Sequence, residues 1–278
     1  MEIALTFGAA IAVIAFLAEY TDSTIGMGYG TLLTPLLLLL GFEPLEVVPA
    51  VLFSELITGL LAGFTHHSMG NVDFRPKSTN IRHIAAKLKE YGYVECFKRG
   101  IPLHLKAVLL LASCSILGTL AAVWLAVNIS KFYLKLYIGI LILVIGIVIL
   151  ATVNSRFGFS WKKMTFLGLI ASFNKGISGG GYGPVVTGGQ LLAGVDEKNA
   201  IGITSLAEGL TCFVGVLAYV LAGNRLFTSL SFYLVIGAVL SVPLAAYTVR
   251  KMETRRLRIV IGIATTVLGL STLAKIIL

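Results

Sequence analysis

The chain has 278 residues, of which 57% are hydrophobic and only 13% charged, and its formal net charge is +9 at pH 7. Soluble domains carry about 25% charged residues, so this composition excludes an ordinary soluble domain and indicates a protein of the lipid bilayer. The three cysteines are scattered and form no CxxC pair or Cys/His cluster, which argues against a disulfide framework or a metal site; no cofactor is expected. The positive charge does not indicate a nucleic-acid partner, because it is concentrated between the apolar segments.

Ten apolar segments follow one another along the chain, and each predicts a membrane helix. The first five cover 3–20, 28–42, 45–65, 103–126 and 132–153, and the second five cover 164–174, 181–195, 199–222, 228–249 and 257–278. A straight crossing needs about 20 apolar residues, so the second, sixth and seventh segments are too short for one. We therefore expect an all-α polytopic fold in which each half begins with a broken or re-entrant pair of helices.

The segments divide the chain into two repeats and one soluble insertion. The first repeat has its broken-helix core in 1–65 and its remainder in 103–153, and the second repeat covers 154–278. Five elements in each repeat is an odd number, so the repeats are expected to have inverted topology. The insertion, 66–102, is a basic loop with apolar residues at helical spacing (Ile81, Ile84, Leu88 and Tyr91). It predicts an amphipathic helix on the membrane surface, with a solvated connector or a partner-docking loop as alternatives.

Basic residues are distributed unevenly between the two sides of the predicted bundle. If the segments alternate, the loops 66–102, 154–163 and 250–256 share one side and carry most lysines and arginines. The excess of positive charge predicts that this side is cytoplasmic and that both termini are external. His66 and His67 lie near a cytoplasmic helix end, where a histidine interacts favourably with the helix dipole, and they are not assigned a site.

One glycine-rich motif occurs twice, shifted by 153 positions. The stretch DSTIGMGYGTLLTPLLLLLGFEP begins at Asp22, and NKGISGGGYGPVVTGGQLLAGVDEKNAIGIT begins at Asn174. Glycine permits the backbone angles of a helix break, and a helix that starts after the break offers unpaired N–H donors and the positive end of its dipole. Two such starts facing each other would enclose a small anion. The alternative is that the glycines only allow close packing of helices.

The residues around the two motifs are the candidate site. The candidate substrate-binding residues are Gly26, Gly28, Tyr29, Gly30, Asn174, Lys175, Ser178, Gly179, Gly180, Gly181, Tyr182, Thr204 and Ser205. The candidate coupling or gating residues are Asp22, Glu55 and Glu208, because ionisable groups inside a membrane are functional candidates. Asp22 aligns with Lys175, and an ion pair between them is the structural alternative. Glu55 aligns with Glu208, and the two carboxylates could instead brace the glycine turns.

Both motifs resemble those of the TauE/SafE sulfite exporter family of membrane permeases, and the resemblance covers nearly the whole chain. It implies a bacterial or archaeal plasma-membrane protein that transports a sulfur-containing anion such as sulfite or a small organosulfonate, often outward. The sequence contains no GxxxxGK[ST] phosphate-binding loop and no GxSxG nucleophile motif, so we expect a secondary carrier and not an enzyme. An uptake carrier, a channel for another small anion, or a non-transporting subunit that recruits a partner through 66–102 are the alternatives. A homo-oligomer is left open.

Overall fold

The computed structural model describes residues 5–76, 90, 100–152, 160–192, 195, 197–249 and 254–277, and these ranges contain helices and turns but no strand. Within these ranges, ten helices follow in chain order: α1 Leu5–Ile25, α2 Tyr29–Leu39, α3 Pro44–Ser68, α4 Leu103–Asn128, α5 Lys131–Ala151, α6 Trp161–Ser178, α7 Tyr182–Leu192, α8 Glu197–Leu221, α9 Ser229–Thr248 and α10 Thr254–Ile277. Six of them (α1, α3, α4, α5, α8 and α9) are long and apolar enough to cross a membrane. The chain is therefore an all-helical, multi-pass membrane protein. The predicted surface helix at Ile81–Tyr91 lies outside the described residues.

Helices α1 and α6 continue well beyond the predicted ends of their segments. Helix α1 continues to Ile25, beyond the predicted end at residue 20, and α6 has 18 residues where only 164–174 was expected. Polar residues such as Asp22 and Lys175 mark the ends of the apolar runs, but both are buried inside helices. Their polar groups are bonded within the protein, so the helix continues through them. Helices α2 and α7 have 11 residues each and are too short for a straight crossing.

Helices α3 and α8 pack against each other at the centre of the molecule. A Cβ atom added to Gly59 would lie 2.9 Å from Cα of Gly209, so only glycine allows this approach of the two backbones. Helix α1 packs along α9, and α4 packs along α6; α9 also contacts α3, and α4 also contacts α8. Exchanging the two halves of the chain turns the α1–α9 pair into the α6–α4 pair and the α3–α9 pair into the α8–α4 pair, while α3–α8 stays the same pair.

The sequence repeat also appears as the same turn geometry at the ends of two equivalent helices, α3 and α8. At the end of α3, Gly70 has φ +75° and the amide of Asn71 donates to the carbonyl of His66 at 2.9 Å. The end of α8 has the same turn, with Gly223 at φ +86° and a bond of 3.0 Å from Asn224 N to Tyr219 O. These positions are again 153 apart, so the offset found at the glycine motifs extends over the following helices.

Both glycine motifs break a helix. Between α1 and α2, Gly26 and Gly28 have φ values of +71° and +144°. Between α6 and α7, Gly179 and Gly181 have φ values of +72° and +78°. Side chains rarely tolerate these left-handed angles, which explains why glycine occupies these four positions. The predicted helix breaks are confirmed.

Candidate functional site

The two helix breaks contact each other inside the bundle. A Cβ atom on Gly30 would overlap the carbonyl oxygen of Gly179, and one on Gly183 would overlap that of Gly26. Gly30 and Gly183 are 153 positions apart, as are Gly26 and Gly179, so the two overlaps are equivalent. The start of each short helix therefore packs directly on the break of the other half.

Hydrogen bonds join the two breaks in addition to this packing. The amide of Gly181 donates to Oγ1 of Thr31 at 3.1 Å, and Oγ1 of Thr187 donates to the carbonyl of Gly26 at 2.7 Å. Cβ atoms added at Gly30 and Gly180 would meet backbone of the other half. These two glycines therefore serve close packing of helices, which is the alternative that the sequence left open.

A buried group of charged side chains lies beside the breaks. Asp22, Glu55 and Glu208 each place a carboxylate oxygen within 4.8 Å of the other two. Lys175, in the last turn of α6, donates to Oε1 of Glu208 at 2.7 Å and to Oε2 of Glu55. None of the Lys175 side chain is exposed, and the two glutamates are almost fully buried. We call these four residues the charged centre, together with Glu19, which is described below.

Asp22 caps the start of α2 instead of pairing with Lys175. Its Oδ1 accepts a hydrogen bond of 3.2 Å from the amide of Tyr29, the first residue of α2. No ion-pair contact joins Asp22 and Lys175 in the described part of the chain, so the alternative of a direct ion pair between them is wrong. A carboxylate is favourable at this position because it meets a free N–H and the positive end of the helix dipole. The protein's own carboxylate thus lies where the sequence predicted a bound anion.

Glu19 is the fourth carboxylate of the charged centre, and the sequence analysis missed it. It is 2% exposed, its Oε1 accepts from Oγ of Ser23 at 2.6 Å, and its Oε2 accepts from Oγ1 of Thr58 at 3.0 Å. Glu19 lies three residues before Asp22 and therefore on the same face of α1. That spacing, in an otherwise apolar segment, is the signal that could have identified it.

His66 lies in the last turn of α3, as the sequence predicted, and it also belongs to this region. It is fully buried, and its Nε2 lies 2.9 Å from the carbonyl oxygen of Ser23 near the end of α1. In the other half, the hydroxyl of Tyr219 donates to the carbonyl of Gly176 at 2.9 Å. His66 and Tyr219 are 153 apart, as are Ser23 and Gly176, so two different side chains hold equivalent backbone carbonyls next to the breaks.

The other predicted residues occupy several environments. The hydroxyl of Tyr29 lies 2.7 Å from Oγ of Ser54, and Tyr182 is fully buried. Oδ1 of Asn174 accepts from the hydroxyl of Tyr137 at 3.0 Å. Three further candidates make local bonds: Ser178 to the carbonyls of Asn174 and Gly180, Thr204 to Thr187 and Gln190, and Ser205 to the carbonyl of Ile201.

Comparison with known proteins agrees with a membrane protein of this type. Residues 11–77 and 92–272 match the family model described as sulfite exporter TauE/SafE. The "probable membrane transporter protein YtnM" of Bacillus subtilis (strain 168) is 24% identical over 265 residues, which are 90% of this chain and 77% of the relative. No solved structure matches the chain.

Proposed function

Because the chain belongs to the TauE/SafE sulfite exporter family, whose members are membrane transporters, we propose that it is a secondary carrier for sulfite or a small organosulfonate. We further propose that it acts in a bacterial or archaeal plasma membrane and moves the anion outward. Export from a cell that is negative inside is favoured by about 2.3 kcal/mol per 100 mV for each net negative charge that leaves, so each proton that accompanies the anion reduces this driving force.

One observation carries this proposal: Lys175 lies fully buried beside the meeting point of two broken helices. Among the residues whose burial the structure describes, Lys175 is the one buried lysine or arginine. An anion inside the bilayer requires a compensating charge or several N–H donors, and the charged centre offers both in one place. Lys175 and the start of α2 are therefore the proposed anion-binding groups, together with the other candidate substrate-binding residues.

The present contacts suggest how binding is controlled. Lys175 is held by Glu55 and Glu208, and the start of α2 is held by Asp22. A protonated carboxyl group no longer attracts an ammonium or a helix start strongly. Protonation of these three acids would therefore release Lys175 and the α2 amides to a substrate anion. Asp22, Glu55 and Glu208 are accordingly the proposed coupling residues, and the proton is the proposed coupling ion.

The number of charges supports a role for protons. The charged centre contains four carboxyl groups and one ammonium group, and Oε1 of Glu55 finds no hydrogen-bond partner among the described residues. Each uncompensated ion in a low-dielectric interior costs several kcal/mol. The charged centre would therefore be unstable unless some of its carboxyl groups are protonated.

Two inverted repeats would explain alternating access. Each half supplies five helices, one of which is short and follows a break, and the two breaks pack on each other through equivalent glycines. If the halves are inverted, α2 and α7 extend from the centre toward opposite sides of the membrane. Two similar halves can then exchange their conformations, which opens the charged centre to one side at a time.

A binding experiment tests the substrate. Purified protein is heated with sulfite, sulfate, thiosulfate, taurine or sulfoacetate, and a bound anion raises the unfolding temperature with the logarithm of its concentration. We expect a saturable rise with sulfite or a sulfonate that is lost in Lys175→Met and in the charge-balanced Lys175→Met/Glu208→Gln variant. Lys162→Met, which changes an exposed lysine, is the control. No rise with any of the anions would contradict the substrate class, and an unchanged rise in both Lys175 variants would contradict the role of Lys175.

A transport experiment tests the coupling. Protein in liposomes that contain a pH-sensitive dye is given a sulfite gradient at zero membrane potential. We expect the wild type to move protons together with the anion, and Glu55→Gln to exchange labelled anion without moving protons. Proton movement of equal size in Glu55→Gln, Asp22→Asn and the wild type would exclude these residues as the coupling site.

A further inference from the structure

A pocket of about 350 Å³ lies at one end of the molecule, far from the helix breaks. Its walls come from the end of α2, the start of α5 and the end of α10: Leu38, Leu39, Gly41, Lys131, Phe132, Lys135, Thr272 and Lys275. Helix α2 has 11 residues and a rise of about 1.5 Å per residue, so the pocket is about 15 Å from the charged centre at its other end.

The pocket has an excess of positive charge. Nζ of Lys131 and Nζ of Lys135 lie 3.5 and 3.3 Å from the carboxylate of Glu43, and Nζ of Lys275 donates to the carbonyl of Leu39 at 2.7 Å. Three ammonium groups thus share one carboxylate and one helix-end carbonyl. The side chain of Lys131 is 66% exposed, so it can turn toward a ligand without leaving a buried partner.

The other wall of the pocket is apolar and continues into a face of α5 that is exposed along the bundle. Phe132 and Tyr133 are 54% and 59% exposed, and Ile140, Val144 and Ile147 follow on the same helix with about half of their surface exposed. The apolar span of α5 starts at Lys131. The pocket is therefore at the level where the hydrocarbon layer meets the headgroups, and aromatic residues are typical of that level.

From this combination we propose that the pocket binds the phosphate group of an anionic phospholipid, whose acyl chain lies along the exposed apolar face of α5. Basic pockets between membrane helices bind acidic headgroups on the cytoplasmic side of membranes, and the three ammonium groups give this pocket the same chemistry at the predicted external end. A free anion would use the ammonium groups alone, whereas a phospholipid also covers Phe132 and the apolar residues below it. Because Lys275 holds the last turn of α2, a bound phosphate competes with the Leu39 carbonyl and can thereby influence the helix that starts at the charged centre.

The experiment uses delipidated full-length protein in a neutral detergent. We add short-chain phosphatidylglycerol, short-chain phosphatidylcholine or inorganic phosphate, and measure the unfolding temperature at each concentration. We expect phosphatidylglycerol to raise it saturably, and the other two to raise it much less. In Lys131→Gln/Lys275→Gln we expect the apparent affinity for phosphatidylglycerol to fall about tenfold or more.

A matched control is the variant Lys162→Gln/Lys163→Gln, which removes two exposed lysines at the start of α6, away from the pocket. It should respond to phosphatidylglycerol like the wild type. Equal responses to the two lipids, or an undiminished response in Lys131→Gln/Lys275→Gln, would overturn the proposal. A saturable response to inorganic phosphate that equals the one to phosphatidylglycerol and disappears in the same variant would show a site for soluble anions instead. An unfolding temperature without lipid close to that of the wild type shows that each variant is folded.

Discussion

Lys175 has no exposed surface, and its ammonium group is accommodated inside the bundle because Glu55 and Glu208 both accept from it. Removing one member of a buried ion pair leaves the other charge without compensation, which costs about 3–5 kcal/mol. Removing an ammonium group and a carboxylate together leaves less uncompensated charge. The three residues are in direct contact, so their contributions to stability should depend on one another.

We expect Lys175→Met to lower the free energy of unfolding by about 3 kcal/mol or more. The double variant Lys175→Met/Glu208→Gln should lose less than the sum of the two single variants, with a coupling of about 1–3 kcal/mol. The measurement is unfolding in mixed detergent micelles of the wild type, both single variants and the double variant. Additive losses would show that Lys175 and Glu208 do not stabilise each other. The surface variant Lys162→Met should change stability by no more than about 0.5 kcal/mol.

The residue types of the charged centre could be predicted from the sequence, but their pairing could not. The duplicated motif identified Asp22, Lys175, Glu55 and Glu208, because each is an ionisable residue in an apolar segment that aligns with another one. Which carboxylate reaches Lys175 depends on how α3 and α8 pack beside α6, and an alignment of two repeats contains no information on that packing. Glu19 has no ionisable counterpart in the second half, where Ser172 aligns with it, and so the repeat gave no reason to select it.

At the scale of the elements, the shape of the centre is determined by the contact between α2 and the break that precedes α7. An added Cβ on Gly180 would lie 2.8 Å from the carbonyl carbon of Gly30, and one on Gly30 would overlap backbone that cannot move aside like a flexible side chain. Gly30 has no positive φ, so its requirement for glycine comes from packing alone. Gly179 needs glycine mainly for its left-handed conformation.

Gly30→Ala should therefore destabilise the protein although alanine is a better helix former than glycine. We expect the loss from overpacking to reach about 3 kcal/mol or more, against a gain of about 1 kcal/mol from helix propensity. The measurement is the yield of monodisperse protein after solubilisation and its unfolding temperature. Gly100→Ala, at a position where an added Cβ meets nothing within 4 Å, is the control and should behave like the wild type. A Gly30→Ala protein as stable as this control would contradict the tight contact between the two breaks.

The order and type of the helices follow from hydrophobic segments, but several ends do not. The predicted ends of α1 and α6 come too early because Asp22 and Lys175 interrupt the apolar pattern. Inside a bundle such residues stay helical when their side chains find partners, and those partners come from other helices. The glycine breaks were predictable, because the motif itself contains the residues that permit left-handed backbone angles.

At the scale of the whole molecule, the two halves share their backbone more closely than their side chains. His66 and Tyr219 hold equivalent carbonyls, and Asp22 and Lys175 have opposite charges at equivalent positions. A shared backbone lets both halves adopt the same set of conformations, which the proposed alternating access requires. Different side chains at the centre give it a charge preference that a symmetric pair of halves would lack.

The charge pattern predicts the orientation of the chain in the membrane, but basic residues occur at both ends of the molecule. The loops 66–102, 154–163 and 250–256 carry many basic residues, which favours a cytoplasmic location. The structure, however, also gathers Lys131, Lys135 and Lys275 at the predicted external end. Glu43 contacts two of these three lysines. Since acidic residues contribute little to orientation, the larger number of basic residues in the loops must determine it.

Two single-cysteine variants measure this orientation. In a background in which Cys96, Cys114 and Cys212 are replaced by alanine, Ser130→Cys lies in the exposed turn between α4 and α5, and Lys163→Cys lies in the exposed first turn of α6. We expect a membrane-impermeant maleimide to label Ser130→Cys in intact cells, and to label Lys163→Cys only after the cells are permeabilised. Labelling of both after permeabilisation is the control for accessibility. The reverse result in intact cells would place the basic loops outside and contradict the orientation predicted from the charge pattern.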